Sequence, residues 1–480
     1  MMKADTLSRW AFPILILLAI VIRWPSFLPS VIDHDESTYI IIGNGLLHGQ
    51  IYLVDTFDTK PVGIFLVYAL LNLLTGGSIF GIRLLTTIWH GVTAYLLFRL
   101  GIRAGGTQRV GWAAGVSYVL MASIFTHYGI SPNTEIFFNG FTVLAILLAW
   151  SAGNRITLYI LAGLSLGVAF MIKFVSAGDA FALGFFLLAS GLQRGAWKDA
   201  LFRRCAPLTL AFFIPFALVY AYYAHIEQLD NFFFYTFEVI SRYPVEAEWW
   251  RRLKYMGDFL LRFSPLVVFA LFALREYRRE DRRLQYFCLL WFAADTATLL
   301  LPGKFFGHYQ VQLMPALALL AATWFHPARH RPRLFKQMPP KWSYSLLGLL
   351  ILGLSIGLFS YYAKKVDYPR QVAMDLQQRM NPEDRVYTGN YYSIINHLLG
   401  QPSLTPYVHS TLLYYEHHLR AHAIDLDKES KRILEKKPRY ILLREEQEQN
   451  MLTRRIKEKY TVIDTLVDGV LLFQNKAFGK

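Results

Sequence analysis

The sequence predicts a polytopic α-helical membrane protein that carries a small C-terminal α/β domain. Three observations lead there. Of 480 residues, 54% are hydrophobic and only 17% charged, where a soluble domain carries about 25% charge. The deficit is uneven: long apolar runs fill the first three quarters, and the last quarter is as charged as a soluble protein. Lysine and arginine also recur in short clusters between the apolar runs, as the positive-inside rule requires of cytoplasmic loops.

A hydrocarbon core takes about 20 apolar residues per helix. Predicted spans are 11–29, 78–100, 109–126, 133–151, 156–174, 178–191, 206–224, 257–274, 284–301, 309–326 and 344–362. A twelfth stretch, 62–75, is short and lies between Pro61 and Gly76-Gly77. Basic clusters occur at Lys3/Arg9, Arg103/Arg109, Arg194/Lys198/Arg203/Arg204, Arg275/Arg278/Arg279/Arg282/Arg283 and Arg329/Arg331/Arg333/Lys336/Lys341. All fall on the cytoplasmic side if 62–75 lies in the membrane interface; if it crosses, the first cluster opposes the rest. The rule therefore selects about eleven spans, an interfacial 62–75, a cytoplasmic N-terminus and an external tail.

The apolar run from Ala11 ends in Arg23-Trp24-Pro25 without a small-residue cleavage pattern, so it reads as an uncleaved first span. The two cysteines, Cys205 and Cys288, sit near inner ends of predicted spans, which excludes a disulfide framework and a cysteine metal site outside the membrane. The net charge of +15 is largely loop charge, and no zinc-finger spacing or basic helix with interleaved aromatics marks a nucleic-acid footprint.

These readings give a membrane domain over 1–362, with large outer loops at 30–77 and 225–256, and an outer domain over 363–480. In the tail, 367–380, 427–436 and 446–459 read as helices and 384–388, 439–443 and 469–474 as extended, with Pro382 and Pro438 as breaks. A short sheet covered by helices is the natural arrangement.

The first outer loop concentrates the chemistry. It opens Asp33-His34-Asp35-Glu36, continues to Tyr39, then runs through His48-Gly49-Gln50-Ile51-Tyr52, Asp55, Asp58 and Lys60-Pro61. Carboxylates beside lipid usually serve a specific interaction. Asp35 and Glu36 either cap a helix starting at Ser37 or belong to a catalytic site.

The acidic pair followed by Tyr39, then HGQIYLVDTFDTKP, a short apolar stretch and GGSIFGIRLLTTI, resembles the GT-C glycosyltransferases. The related members are the dolichyl-phosphate-mannose protein mannosyltransferases and the aminoarabinose transferase of lipid A modification. The likeness covers roughly residues 20–180; Lys60-Pro61-Val62 departs from it where many relatives have a second proline. It implies a GT-C fold and inverting transfer of a sugar from a polyprenyl-phosphate donor to a hydroxyl of a membrane lipid, glycan or protein. The setting would be the outer face of a bacterial inner membrane. Asp35 would be the general base, with Glu36 and Asp33 as neighbouring substitutes.

A departing lipid phosphate needs positive charge. Lys60 is the first candidate, against a lysine that only snorkels to the headgroups; Arg83, at the outer end of the second span, has the same two readings. Glu135, after Ser131-Pro132-Asn133-Thr134, is either a helix-dipole acid or a second substrate-binding acid. Lys173 would bind donor phosphate or pair with Asp179, and Arg242-Tyr243-Pro244 would belong to a loop over the donor or to plain surface. In the turn from Lys304 to Tyr309, Tyr309 or His308 could face a phosphate. Asp295, inside a span, requires a partner.

Asp33, His34, Asp35, Glu135 and His308 leave a divalent metal ion open, although no short ligand motif such as H-E-x-x-H occurs. The rival classes are a lipid-linked oligosaccharide ligase or polymerase, a transporter or flippase, and a non-catalytic receptor. Transporters usually repeat in two halves, and no such repeat is evident. The tail receives no catalytic residue; Tyr391, Tyr392, Tyr407 and His409 are read as packing or surface aromatics.

Overall fold

The structure, a computed structural model, describes residues 8–124, 129–243, 248–275, 282–328, 340–445 and 450–478. Lys3, Arg278, Arg279, Arg329, Arg331, Arg333 and Lys336 of the basic clusters, Pro244, the end of the 109–126 span and the first turn of the 446–459 helix lie outside them. The chain divides into two compact units. One comprises Met1–Phe27, Arg83–Val219 and Val245–Ala363; the other comprises Leu28–Ile82, Tyr220–Pro244 and Lys364–Lys480. The division departs from a linear cut at 362: the first outer loop and the start of the second join the tail.

The first unit is helical. Among the described residues, Thr134–Ala152 and Phe174–Gln193 within it, and Trp197–His225 and Leu347–Arg379, whose last residues are counted in the second unit, are each long and apolar enough to cross a membrane. Two helix pairs broken by a bend reach the same criterion jointly, which gives up to six spans by length and composition, against about eleven expected from the sequence. Ala11–Phe27 and Ile156–Ile172 are apolar but shorter. The expected 257–274 span is not one helix. Trp249–Arg262 and Ser264–Arg275 meet at 86°, because the first carries Arg251, Arg252, Lys254, Asp258 and Arg262 opposite exposed Trp249, Leu253 and Leu261. That amphipathic composition suits an interface rather than a crossing. The 309–326 stretch likewise begins as 3-10 turns, Gly307–Leu313, before Met314–Ala322.

Several buried polar side chains of this unit are hydrogen-bonded. Arg23 is buried and donates to the carbonyls of Gly129 and Ile130, each at 2.9 Å. Asp295 accepts from Gln312 at 3.2 Å, which supplies a partner that the sequence left unnamed. Asp179 accepts from the Trp291 indole, and Lys173 is ion-paired to Glu135.

In the second unit, helices His34–Leu47 and Val62–Thr75 pack closely. A Cβ on Gly43 would lie 2.8 Å from backbone atoms of Tyr68 and Ala69, so this contact requires glycine. Asn72 adds a hydrogen bond to the Ile40 carbonyl at 2.9 Å. Val62–Thr75 buries Phe65 and Tyr68 and leaves Leu66, Leu70, Leu73 and Leu74 more than half exposed, the stripe expected of an interfacial helix. It stops at Gly76, whose φ of 61° is left-handed.

The tail forms a four-stranded sheet of β1 (Val386–Tyr387), β2 (Tyr440–Leu443), β3 (Tyr460–Thr465) and β4 (Leu471–Asn475) in the order β1-β2-β4-β3, with β1 and β2 parallel and the other pairs antiparallel. Alternation puts Ile441, Leu443 and Phe473 in one core with Ile433, Leu452 and Ile456, and Tyr440, Leu442 and Leu472 in another with Val372, Leu376 and Tyr391. Helices Tyr368–Arg379, Leu426–Glu435 and Met451–Lys459 occur where the sequence places them; β3 and the short helices Ile394–Leu398 and Glu416–Ala421 are additional. The first loop joins the tail through Phe57 N–H to the Pro406 carbonyl (3.0 Å), His397 to the Gly77 carbonyl (2.8 Å) and Ser30 N–H to Asp367 (2.8 Å).

Candidate functional site

The site begins at a helix N-terminus. Asp33 is the cap: its backbone is extended, and its side chain accepts from the Asp35 N–H at 2.9 Å. Glu36, fully buried, reaches back to the Ile32 N–H at 3.2 Å, as in a capping box. The helix therefore starts at His34, three residues before the expected Ser37. Capping falls to Asp33 and Glu36, and Asp35 between them is turned to other partners.

Lys60 reaches Asp35 from a loop that is tightly held. Asp58 accepts from the N–H groups of Thr59 (2.6 Å) and Lys60 (3.1 Å), closing a turn. The Tyr52 hydroxyl donates to the carbonyls of Asp58 and Lys60, and Tyr223 donates to the carbonyl of Tyr52. Pro61 then fixes the entry to Val62–Thr75. The Lys60 ammonium lies 2.9 Å from Asp35 and 3.4 Å from Asp58, above the Tyr39 ring, and the Tyr39 hydroxyl is 3.4 Å from the second Asp35 oxygen. The Asp35 and Lys60 side chains keep 19% and 20% exposure. A carboxylate able to accept a proton and an ammonium able to bind an anion thus sit together, each about one-fifth exposed.

The tail contributes to the same cluster. His409 Nε2 is 3.5 Å from Asp35. His34 stacks on Tyr392 at 4.6 Å and meets the Ser410 hydroxyl at 3.3 Å, while Arg444 lies over the rings of Tyr391 and Tyr392. Burial, reinforced by the neighbouring His409, pushes His34 down to about 4, so it is neutral near pH 7. The sequence reading had no signal for this, because 376 positions separate His34 from Ser410.

The helical unit holds a separate polar centre. Glu135, buried, is ion-paired to Lys173, and the Lys173 ammonium stands 3.6 Å from the centroid of the Tyr309 ring. Three residues singled out separately in the sequence are thereby brought together. Arg83 is buried and donates to the Ser26 carbonyl at 2.7 Å, and His308 is buried with its ring stacked on Phe306. In the other unit Arg242 is exposed, paired to Glu238 at 3.0 Å and set over Phe234.

Of the candidate metal ligands, Asp33 and His34 belong to one unit and Glu135 and His308 to the other. Among the described residues no group of three His, Cys, Asp or Glu is placed to hold an ion.

Residues 59–219 match the family described as dolichyl-phosphate-mannose-protein mannosyltransferase. An undecaprenyl phosphate-alpha-4-amino-4-deoxy-L-arabinose arabinosyl transferase 2 of Pseudomonas fluorescens is 26% identical over 357 residues, which cover 68% of this chain and 61% of the relative. A corresponding transferase of Pseudomonas aeruginosa is 26% identical over 344 residues, 67% of this chain and 59% of the relative. The chain thus spans about 60% of the length of these curated relatives. ArnT from Cupriavidus metallidurans, solved bound to undecaprenyl phosphate, shares the fold with a TM-score of 0.72 at 14% identity, over 97% of this chain and 98% of that one. The archaeal oligosaccharyltransferase AglB from Archaeoglobus fulgidus gives 0.52 at 11% identity, over 92% and 70%. The chain thus shares the fold of these solved membrane proteins, and its residues 59–219 resemble the mannosyltransferase family.

Proposed function

We propose that this protein is an inverting glycosyltransferase that moves a sugar from a polyprenyl-phosphate donor to a hydroxyl of a glycolipid, glycan or protein. The observation that carries the reading is the Lys60–Asp35 pair at 2.9 Å, presented by the two ends of one acid-rich loop. An alcohol is a weak nucleophile until a base takes its proton as it attacks. Asp35 is that base. The acceptor oxygen bonds to the anomeric carbon, the bond from that carbon to the lipid phosphate breaks, and the proton passes to Asp35. One displacement inverts the anomeric centre. Lys60 neutralises the charge that grows on the departing phosphate, and before substrates arrive it is paired to Asp35. Within its own unit, Lys173 held by Glu135 and Tyr309 is a further cation suited to an anionic headgroup.

The topology follows the sequence reading: about eleven spans in a bacterial inner membrane, with the N-terminus cytoplasmic and the Asp35 unit external. It is supported by the grouping of 28–82 and 220–244 with the tail in one unit, since these are the segments assigned to the outer face. The donor class is supported by the polyprenyl-phosphate sugar transferases among the relatives. Purified protein in nanodiscs, given undecaprenyl-phosphate aminoarabinose and lipid A, should yield sugar-modified lipid by mass spectrometry, and Lys60→Met should weaken donor use. Donor consumption with no glycosylated product, or a Lys60→Met variant equal to the parent, would refute the assignment.

A further inference from the structure

A cavity of about 240 Å³ in the first unit is lined from Thr134–Ala152, Ile156–Ile172, Ala177–Gln193 and Arg282–Leu300. Three arginines line it as well: Arg194, Arg204 and Arg283. Arg194 and Arg283 are exposed and Arg204 is half-buried, so a ligand can reach all three. None of the residues proposed for base, donor or acceptor lines this cavity.

The arginines are placed by groups other than an anion. Gly191 lets the turn Ala200–Cys205 close on the preceding helix, since a Cβ there would lie 2.2 Å from the Ala200 side chain. Arg204 in that turn is fixed by Asp199, to which its Nε and Nη2 donate at 2.9 and 2.6 Å. The Arg283 guanidinium lies over the rings of Trp150 and Phe186 at 5.3 and 5.4 Å, and those two rings stack at 5.2 Å. Arg194 follows the last turn of Ala177–Gln193 as its C-cap. Among the described residues, neither Arg194 nor Arg283 is paired with a carboxylate, and Asp199 is taken up by Arg204 and Arg203. Arg194 and Arg204 both repel the Arg283 charge. Loop arginines satisfy the positive-inside rule wherever they stand in a loop. That rule does not require them to converge on one cavity, where their repulsion is unfavourable unless an anion offsets it.

We propose that Arg194, Arg204 and Arg283 form a binding site for the phosphate of an anionic phospholipid headgroup. Guanidinium groups present paired N–H donors that match phosphate oxygens, and basic pockets between membrane helices are suited to such headgroups. Size narrows the choice. The cavity is smaller than the roughly 300–1,000 Å³ of pockets for drug-sized ligands, so it takes a phosphate with its ester linkage and excludes a nucleotide. Ala149, Leu183 and Leu187 give it an apolar wall, and Phe181, Phe185 and Leu192 of the same helix are exposed beyond it. Free phosphate gains nothing from that wall, whereas the glycerol and first acyl carbons of a lipid bury against it.

The test titrates full-length purified protein with phosphatidylglycerol, phosphatidylcholine and inorganic phosphate, and follows bound species by native mass spectrometry. One phosphatidylglycerol should be retained in preference to phosphatidylcholine. Arg194→Gln and Arg283→Gln should each weaken it about fivefold. Arg203→Gln removes the same charge from the same basic loop but lies outside the cavity, and it should bind as the parent does. Arg283→Lys keeps the charge without the planar fork and should fall between, which separates recognition from poor folding. Equal weakening by Arg203→Gln and Arg283→Gln would reduce these arginines to general loop charge. Lipid retained at parent affinity by the Arg194→Gln/Arg283→Gln variant would remove the site. Inorganic phosphate bound there, with no preference between the two lipids, would overturn the lipid as its source.

Discussion

The Lys60 ammonium is bonded to Asp35 at 2.9 Å across 25 positions of sequence. Two local structures bring them together. A capped helix start turns Asp35 outward from between Asp33 and Glu36, and a turn closed by Asp58 and clamped by Tyr52 presents Lys60. The helices that follow these two elements are locked at Gly43, so the distance between acid and cation is set by backbone packing.

Substitution at that packing point should therefore be felt at the site. In Gly43→Ala the new Cβ would meet backbone rather than a flexible side chain, and overpacking of this kind costs about 1–3 kcal/mol. The variant should show a lower Tm and a reduced kcat although residue 43 touches no reacting group. Unchanged kcat in a folded Gly43→Ala would show that the helix pair does not set the site.

Lys60→Met should raise KM for the polyprenyl-phosphate donor more than KM for the acceptor. Lys60→Arg keeps the charge and should recover part of the donor affinity, although its planar fork fits the turn differently. Equal effects on both KM values would argue against a phosphate role. Donor titration by native mass spectrometry measures the same quantity directly.

Breaking the buried Glu135–Lys173 pair from one side should be costly. Glu135→Gln leaves the Lys173 charge without its carboxylate in a largely buried place, and such changes destabilise by about 3–5 kcal/mol. The double variant Glu135→Gln/Lys173→Met should recover much of that loss in thermal unfolding, because no orphaned charge remains. Additive losses would mean that the pair is not coupled.

Stability should also fall on the acid side. His34 is held to about 4 in the folded protein by burial, against an ordinary value of 6.5. Between those values the unfolded chain binds the extra proton, so folding is favoured above pH 6.5 and loses this contribution as pH falls toward 4. Tm measured from pH 7 to 4.5 should decline, and His34→Gln should decline less. A variant with the parent's pH slope would remove His34 as the source.

Much of this was legible from local patterns. The apolar helix 62–75 with its Pro and Gly bounds and three of the four tail strands follow from apolar periodicity and from Gly and Pro positions, whereas up to six described spans stand against about eleven expected. The acid-rich opening marked the first loop, because carboxylates beside lipid are rare, and the resemblance to the GT-C glycosyltransferases singled out Asp35 within it. The bend at Phe263 was missed because 257–274 is apolar enough on average, although the charged face begins earlier, at Arg251. Strand β3 was missed because it alternates weakly, with Val462 and Ile463 both exposed. The alternative in which Asp35 and Glu36 cap a helix at Ser37 overlooked Asp33, which stands at the true N-cap. His409, Tyr392 and Arg444 carry no local mark at all; only the folding of the tail onto the first loop puts His409 beside Asp35 and Tyr392 against His34.

The most direct measurement is single-turnover transfer by Asp35→Asn, with donor binding followed in the same preparation. Asparagine keeps the shape and removes the base, so transfer should drop by about 100-fold or more while the donor still binds. Transfer at the parent's rate, or lost transfer accompanied by lost donor binding and a lowered Tm, would contradict Asp35 as the proton acceptor.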